Sequence, residues 1–271
     1  MEQIMNRQSV SRAYRSSGRK SMKRRDSVGL EDAIPAKDSQ LSDLVDANHI
    51  LFDQGVLDAF GHVSVRADED SEIFFLSRNL APVLVSEDDI QIFSLDAETD
   101  DLRPPYLERF IHAEIYRSRP DVMSVIHSHS PAVVPFSVSD APLRPVMHMA
   151  GFLPMETPVF EMRQVAGPAS DLLVRDRRAG AALAEILGSG SFALMRGHGS
   201  VAVGESLKTA VYRAIYAELN ARAQADAMRL GSYTCLTRGE GEATVSTMAS
   251  QIERAWGTWR MQARTRHQGL S

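Results

Sequence analysis

The sequence predicts an α/β layered domain whose sheet is largely antiparallel. Three observations lead there. Short alternating segments follow one another between residues 62 and 93 with only turn residues between them. Segments of helical period flank and interrupt them, and there is no regular strand–helix–strand alternation of the kind that builds a parallel sheet.

Taken in order, Leu41, Leu44, Val45, Ile50 and Leu51 recur at helical spacing, with Ser39 as candidate cap. Gly55 and Gly61 punctuate a turn, after which residues 62–66 alternate as a strand does. Residues 73–76 follow an acidic turn and 89–93 give a third run, so the three read as an antiparallel meander. Residues 107–117 form an amphipathic helix that must stop before Pro120. The strand at 122–129 sets Val125 and His127 against Ile126 and Ser128. Residues 130–165, rich in Pro and Met, lack a clean period and suit loops lining a site. A helix over 176–187 ends at Gly188, a short buried strand covers 192–195, and Arg196-Gly197-His198-Gly199 is the tight turn after it. A long helix follows over 206–230, and one more is expected over 244–264.

Composition sets limits on function. A net charge of −5 gives no general reason to expect a nucleic-acid partner, and no run approaches the 18 or so apolar residues of a membrane helix. The single cysteine, Cys235, excludes an intramolecular disulfide and a Cys-rich metal site, and a cytoplasmic location is expected. The first 25 residues are different: Arg7, Arg12, Arg15, Arg19, Lys20, Lys23, Arg24 and Arg25 stand against Glu2 alone. Residues 1–38 are therefore read as a basic arm, disordered or embracing another subunit, with an organelle transit peptide as the alternative. Residues 39–271 are read as one catalytic domain.

The strongest chemical signal is His127-Ser128-His129 at the end of an apolar strand. Side chains at i and i+2 share one strand face, so both imidazoles can reach one cation; a pair of packing or surface histidines is the alternative. His198, between two glycines after a buried strand, offers a third nitrogen. Three protein ligands leave positions open for substrate, and a nitrogen–oxygen donor set suits zinc, manganese, iron or cobalt. Glu108 opens the helix leading to the His127 strand and could ligate the ion or shuttle protons. His112 lies one turn further on the same face and reads as a packing residue or one that orients the ligands.

These residues resemble the class II aldolase/adducin family. The resemblance rests on Glu108-Arg109-Phe110-Ile111-His112, Ser-Arg-Pro-Asp at 118–121, Val-Ile-His-Ser-His at 125–129 and Arg-Gly-His-Gly at 196–199. Residues 61–66 also match the family's Gly-Asn-Val-Ser motif apart from His62. The likeness covers about residues 40 to 230. It implies a three-layer αβα sandwich around a mainly antiparallel sheet, one divalent ion per subunit on His127, His129 and His198, and Glu108 as the catalytic carboxylate. Manganese or zinc is expected first, iron or cobalt after them. It also implies a homotetramer with sites near subunit interfaces.

The departures from the family pattern bear on substrate. Sugar-phosphate aldolases of the family bind phosphate with small and polar residues, where this chain has His62, Arg78-Asn79-Leu80 and Tyr106-Leu107. Phosphate needs clustered donors and room for three oxygens, so a phosphorylated substrate is not expected. No tyrosine follows the HxH strand in the place where those aldolases use one, and His148 is the candidate acid in its stead. Phe152, Phe160 and nearby methionines suggest an apolar slot for a flat ring, or ordinary packing. Residues 76–82 and 148–152 resemble the family's decarboxylase branch, which acts on hydroxylated aromatic or heteroaromatic carboxylates. The substrate this implies first is 3-hydroxy-2-methylpyridine-4,5-dicarboxylate, and 3,4-dihydroxyphthalate second. His62, Arg78 and Asn79 are the candidate substrate-binding residues, Arg78 because a guanidinium pairs bidentately with a retained carboxylate. The rival readings are an aldolase or epimerase acting on an unphosphorylated hydroxy-carbonyl compound, a metal-dependent oxygenase, and an adducin-like binding module without catalysis.

Overall fold

The structure is a computed structural model that describes residues 38–67 and 72–267. The basic arm expected over residues 1–38 lies, but for Asp38, outside the described residues. The chain opens with α1 (Asp38–Asp53), then β1 (His62–Arg66), β2 (Ile73–Ser77) and β3 (Ile90–Ser94). Next come α2 (Arg109–Ser118), β4 (Ser124–Ser128), the short α3 (Val134–Val138), β5 (Val159–Phe160) and the short α4 (Arg163–Ala166). The C-terminal half holds α5 (Arg177–Leu187), β6 (Phe192–Met195), β7 (Gly199–Gly204), α6 (Leu207–Leu230), α7 (Arg238–Ala249) and α8 (Ile252–His267).

The seven strands form one sheet in the order β3-β2-β1-β4-β7-β6-β5. Every pairing is antiparallel except β5 with β6. Alternation along the strands sends apolar side chains to both faces, which is why two helical layers can be buried on one sheet. Val63, Val65, Phe75, Ile126 and Ala202 join α1 and α6 in one core, to which Trp256 and Ala263 of α8 also belong. Phe74, Leu76, Phe93, Val125, Val201 and Val203 join α2 and α5 in the other. This is the three-layer αβα sandwich around a mainly antiparallel sheet that the sequence implied.

Several expectations are corrected. The expected C-terminal helix over 244–264 is two helices. A capping box of Thr237 and Glu240 starts α7 before residue 244, and α7 packs on the 148–151 turn, where Gly151 and Gly241 meet backbone to backbone. By contrast α8 packs on α1, with Arg260 on Asp43 and Arg264 on Asp46. Different docking partners bend the chain between them. Strand β7 was not among the expected elements, because Gly199 and Gly204 bracket only a short Ser-Val-Ala-Val run. Helix α1 begins at Asp38, so Ser39 lies inside it and not at its cap. Among the described residues no helix is long and apolar enough to cross a membrane.

Candidate metal centre

The end of the sheet formed by the start of β1, the ends of β2, β4 and β6 and the start of β7 carries the chemistry. Register fixes the positions: His62 of β1 faces His127 of β4, which faces Val201 of β7. Strand β4 ends at Ser128, so His129 lies just beyond it, and His198 occupies the turn between β6 and β7. Two glycines allow the strands to close here. A Cβ on Gly199 would stand 2.0 Å from the Ser128 carbonyl oxygen, and one on Gly61 would stand 3.0 Å from that of His127. Glu108 immediately precedes α2 and caps nothing with its side chain, which leaves the carboxylate free to turn towards the histidines.

Ligand atoms of Glu108, His127, His129 and His198 all lie within 4.8 Å of one another. Nε2 of His127 is 3.2 Å from Nε2 of His129, and Oε2 of Glu108 is 3.5 Å from Nε2 of both His127 and His198. Donors about 2.1 Å from a tetrahedral ion stand about 3.4 Å apart, as these three pairs do, and the more widely spaced donors would close in to share one cation. The far sides of the rings agree. Nδ1 of His127 donates to the Ser200 carbonyl at 3.1 Å, and Nδ1 of His198 donates to the Leu172 carbonyl at 3.1 Å. Each bond places the proton on Nδ1 and leaves an Nε2 lone pair facing the centre. Nδ1 of His129 lies 4.0 Å from the Asp58 carboxylate.

Electrostatics favour the ligand forms. Burial holds the His127 imidazole well below its usual range against the pull of the nearby Glu108 carboxylate. Burial and then the nearness of His198 lower His129 as well. Burial raises the Glu108 carboxyl, but positive charge at His127 and His198 and the Val174 amide more than offset this and hold it down at about 2, and a bound cation would supply that charge beside neutral imidazoles. Its Oε1 accepts the Val174 N–H at 2.9 Å, which turns Oε2 inward. Neutral imidazoles with one ionised carboxylate are the protonation states a divalent ion binds.

The other candidate residues are placed differently. His62 is buried with its ring against those of Tyr106 and His127, at centroid distances of 4.5 and 5.1 Å. His112 is buried behind His62 and bonds to it, so it supports His62 and none of the three expected ligands directly. Arg78 follows β2 at the same end of the sheet, engaged by Asp89 at 2.7 Å. Asn79 beside it is exposed, its backbone N–H donating to the Pro104 carbonyl. His148 is exposed and lies in a different region. With Phe152 it lines a hollow with Glu205, Thr209 and Arg213, where β7 ends and α6 begins, at the opposite end of the sheet. The structure does not bring His148 to the cluster within one chain.

The apolar slot expected from Phe152 and Phe160 is not at the centre: Phe160 is buried in the α2–α5 core and Phe152 belongs to the distant hollow. Apolar groups the sequence reading passed over stand closer. Phe60 is 67% exposed with its ring 6.5 Å from that of His129, and the exposed Val138 borders Gly197. Glu218 of α6 was also missed. Buried beneath the loop after His129, it accepts hydrogen bonds from the Ser130 hydroxyl and the Ala132 N–H. A charged residue amid an alanine-rich helix face was the available signal.

Comparison with known proteins identifies the family. Residues 42–225 match the family described as Class II Aldolase and Adducin N-terminal domain. Decarboxylase tropJ of Talaromyces stipitatus is 43% identical over 207 residues, spanning 71% of this chain and 77% of that protein. A 3,4-dihydroxyphthalate decarboxylase of a Terrabacter species is 30% identical over 190 residues, spanning 66% of this chain and 77% of its own. Among solved structures, an L-fuculose 1-phosphate aldolase from Glaciozyma antarctica superposes with a TM-score of 0.69 at 19% identity, covering 90% of this chain and 94% of that one, a likeness of fold alone. With a three-layer fold, a three-histidine and glutamate cluster and these matches, the chain belongs to the class II aldolase and adducin family. Within that family its decarboxylase relatives make it a carbon–carbon lyase.

Proposed function

We propose that the protein is a metal-dependent decarboxylase of a hydroxylated aromatic or heteroaromatic dicarboxylate. The observation that carries this reading is the convergence of three imidazole nitrogens and one ionised carboxylate within 4.8 Å. The 43% identity to a decarboxylase supports it. Tyr106 supports the absence of a substrate phosphate, since its ring packs on His62 and its hydroxyl donates to the Leu80 carbonyl, filling space with an aromatic group.

His127, His129 and His198 hold one divalent ion, manganese or zinc in the first instance, with Glu108 as fourth ligand or acid–base group. When bound, the ion supplies a Lewis acid that draws charge from the ring oxygen and the adjoining carboxylate. Glu108 is ionised at rest, so it can take the ring hydroxyl proton on Oε2 and return it to the carbon bearing the departing carboxylate. That proton makes the ring a dearomatised ketone, and loss of carbon dioxide returns the electron pair to the oxygen and restores the ring. Arg78 and Asn79 flank this end of the sheet, Arg78 to pair with the retained carboxylate. An acid role for His148 requires that a neighbouring subunit carry it to the site, so it stands or falls with a homotetramer whose sites lie near interfaces.

The preferred ring is 3-hydroxy-2-methylpyridine-4,5-dicarboxylate, with 3,4-dihydroxyphthalate next. Supplying each to protein stripped of metal and reloaded with manganese, zinc or iron tests the reading. Metal-dependent carbon dioxide release from one of them identifies the ring. No release with any metal, from protein shown to bind one, contradicts the decarboxylase assignment and leaves an aldolase on an unphosphorylated substrate.

A further inference from the structure

A fourth histidine touches the ligand set and needs a role. Nδ1 of His62 lies 2.6 Å from Nε2 of His112, Nδ1 of His112 lies 2.6 Å from Oγ of Ser64, and Oγ of Ser64 lies 2.7 Å from the Tyr116 hydroxyl. All four side chains are buried. Such a chain can run in either of two directions, each moving every proton by one bond, and the end groups decide which is adopted.

The Tyr116 hydroxyl decides it. Ser64 is the one hydrogen-bond partner found for it among the described residues. Were Ser64 to donate to Tyr116, the phenol proton would be buried with no acceptor, at the full desolvation cost of an unmade hydrogen bond. With Tyr116 donating to Ser64, every link is satisfied: Ser64 donates to Nδ1 of His112, and Nε2–H of His112 donates to Nδ1 of His62. The lone pair of His62 is then consumed at Nδ1 and its proton sits on Nε2. Both rings are enclosed by the protein, where an imidazole carrying a single proton meets no desolvation cost of charge, and the chain gives each ring one donor and one acceptor.

We infer that His62 stands beside the metal ligands as a neutral Nε2–H donor, fixed in that tautomer by the one-way chain from Tyr116 through Ser64 and His112, and that it binds an anionic oxygen of the substrate. An Nε2 that carries a proton has no lone pair for a cation, so His62 is sorted from its three neighbours as a substrate-orienting group. Its natural partner is an acceptor-only oxygen, a carboxylate or a ring oxide, which rests on the decarboxylase reading. Ser64, His112 and Tyr116 are positioning residues, since they act through His62.

The tautomer is readable without substrate. In metal-stripped and zinc-loaded protein carrying 15N-histidine, the His62 signals, identified by their loss in His62→Gln, are expected to show a pyrrole-type Nε2 and a pyridine-type Nδ1. The reverse pattern overturns the inference. Tyr116→Phe, or Ser64→Ala as a second route, removes the directing donor, and the His62 signals should then move towards a mixture of tautomers. Unchanged signals in both folded variants also overturn it. With 3,4-dihydroxyphthalate as probe, His62→Leu should raise KM about ten- to hundredfold, the worth of one hydrogen bond to a charged group, and His62→Gln should recover part of this. If no substrate releases carbon dioxide, the decarboxylase reading fails while the nitrogen signals still decide the tautomer.

Discussion

At the scale of single residues, three of the four candidate ligands, His127, His198 and Glu108, have a second contact that prepares them. Nδ1 of His127 and of His198 are committed to backbone carbonyls, and one Glu108 oxygen to a backbone N–H, so the remaining atoms face a common point. Glu108→Gln preserves the shape and one hydrogen-bonding oxygen but removes the charge. We expect it to lower kcat by roughly a hundredfold to ten-thousandfold with the fold intact, as measured by steady-state kinetics beside a thermal melt. A variant that retained full activity would remove Glu108 from the chemistry. The three histidines and Glu108 were legible in the sequence because HxH at a strand end and His between glycines are local patterns. Phe60, Ser64 and Tyr116 were not, since their relation to the site arises only when β1, α2 and β4 pack together.

At the scale of elements, the centre depends on how closely β4 is clasped by its neighbours. Gly199 opens β7 against the Ser128 carbonyl, where any Cβ would overlap backbone that cannot retreat. Gly199→Ala should therefore destabilise the protein by roughly 3 kcal/mol and weaken metal binding, read by chemical denaturation and metal titration. A variant as stable as the parent would mean that the strand pair can widen freely. Glu218 does a similar service from α6, holding the backbone that follows His129. The meander, α2, α5 and α6 were readable from their periods, and β4 nearly so. Strand β7 escaped because its six residues carry two glycines and only a short apolar alternation, although its place beside β4 makes it central. The break between α7 and α8 escaped for another reason: no Gly or Pro marks it, and only separate docking surfaces impose it.

At the scale of the whole molecule, burying neutral histidines ties stability to pH. His62, His112 and His127 have folded-state values below the ordinary 6.5, His112 at about 3. Below 6.5 the unfolded chain takes up protons that the folded chain refuses, so stability is full above that pH and is lost as pH falls towards the folded-state values. Each such histidine costs about 1.4 kcal/mol per pH unit in that window. Melts of the metal-free protein should show Tm falling steadily as pH drops from about 6.5 to about 5, whereas a flat profile would contradict the buried neutral assignment. The sandwich itself was implied by the family likeness more than by composition, and the distance between His148 and the metal-binding end became visible only from the whole sheet. The central claim is that one ion on these four side chains makes the protein a decarboxylase. Its most direct test is to titrate manganese or zinc into stripped protein while following both bound metal and carbon dioxide release from the two candidate dicarboxylates. The account predicts release that rises with occupancy and levels off at one ion per chain, with neither binding nor release in His127→Ala. Release independent of added metal, or undiminished in His127→Ala, would contradict it.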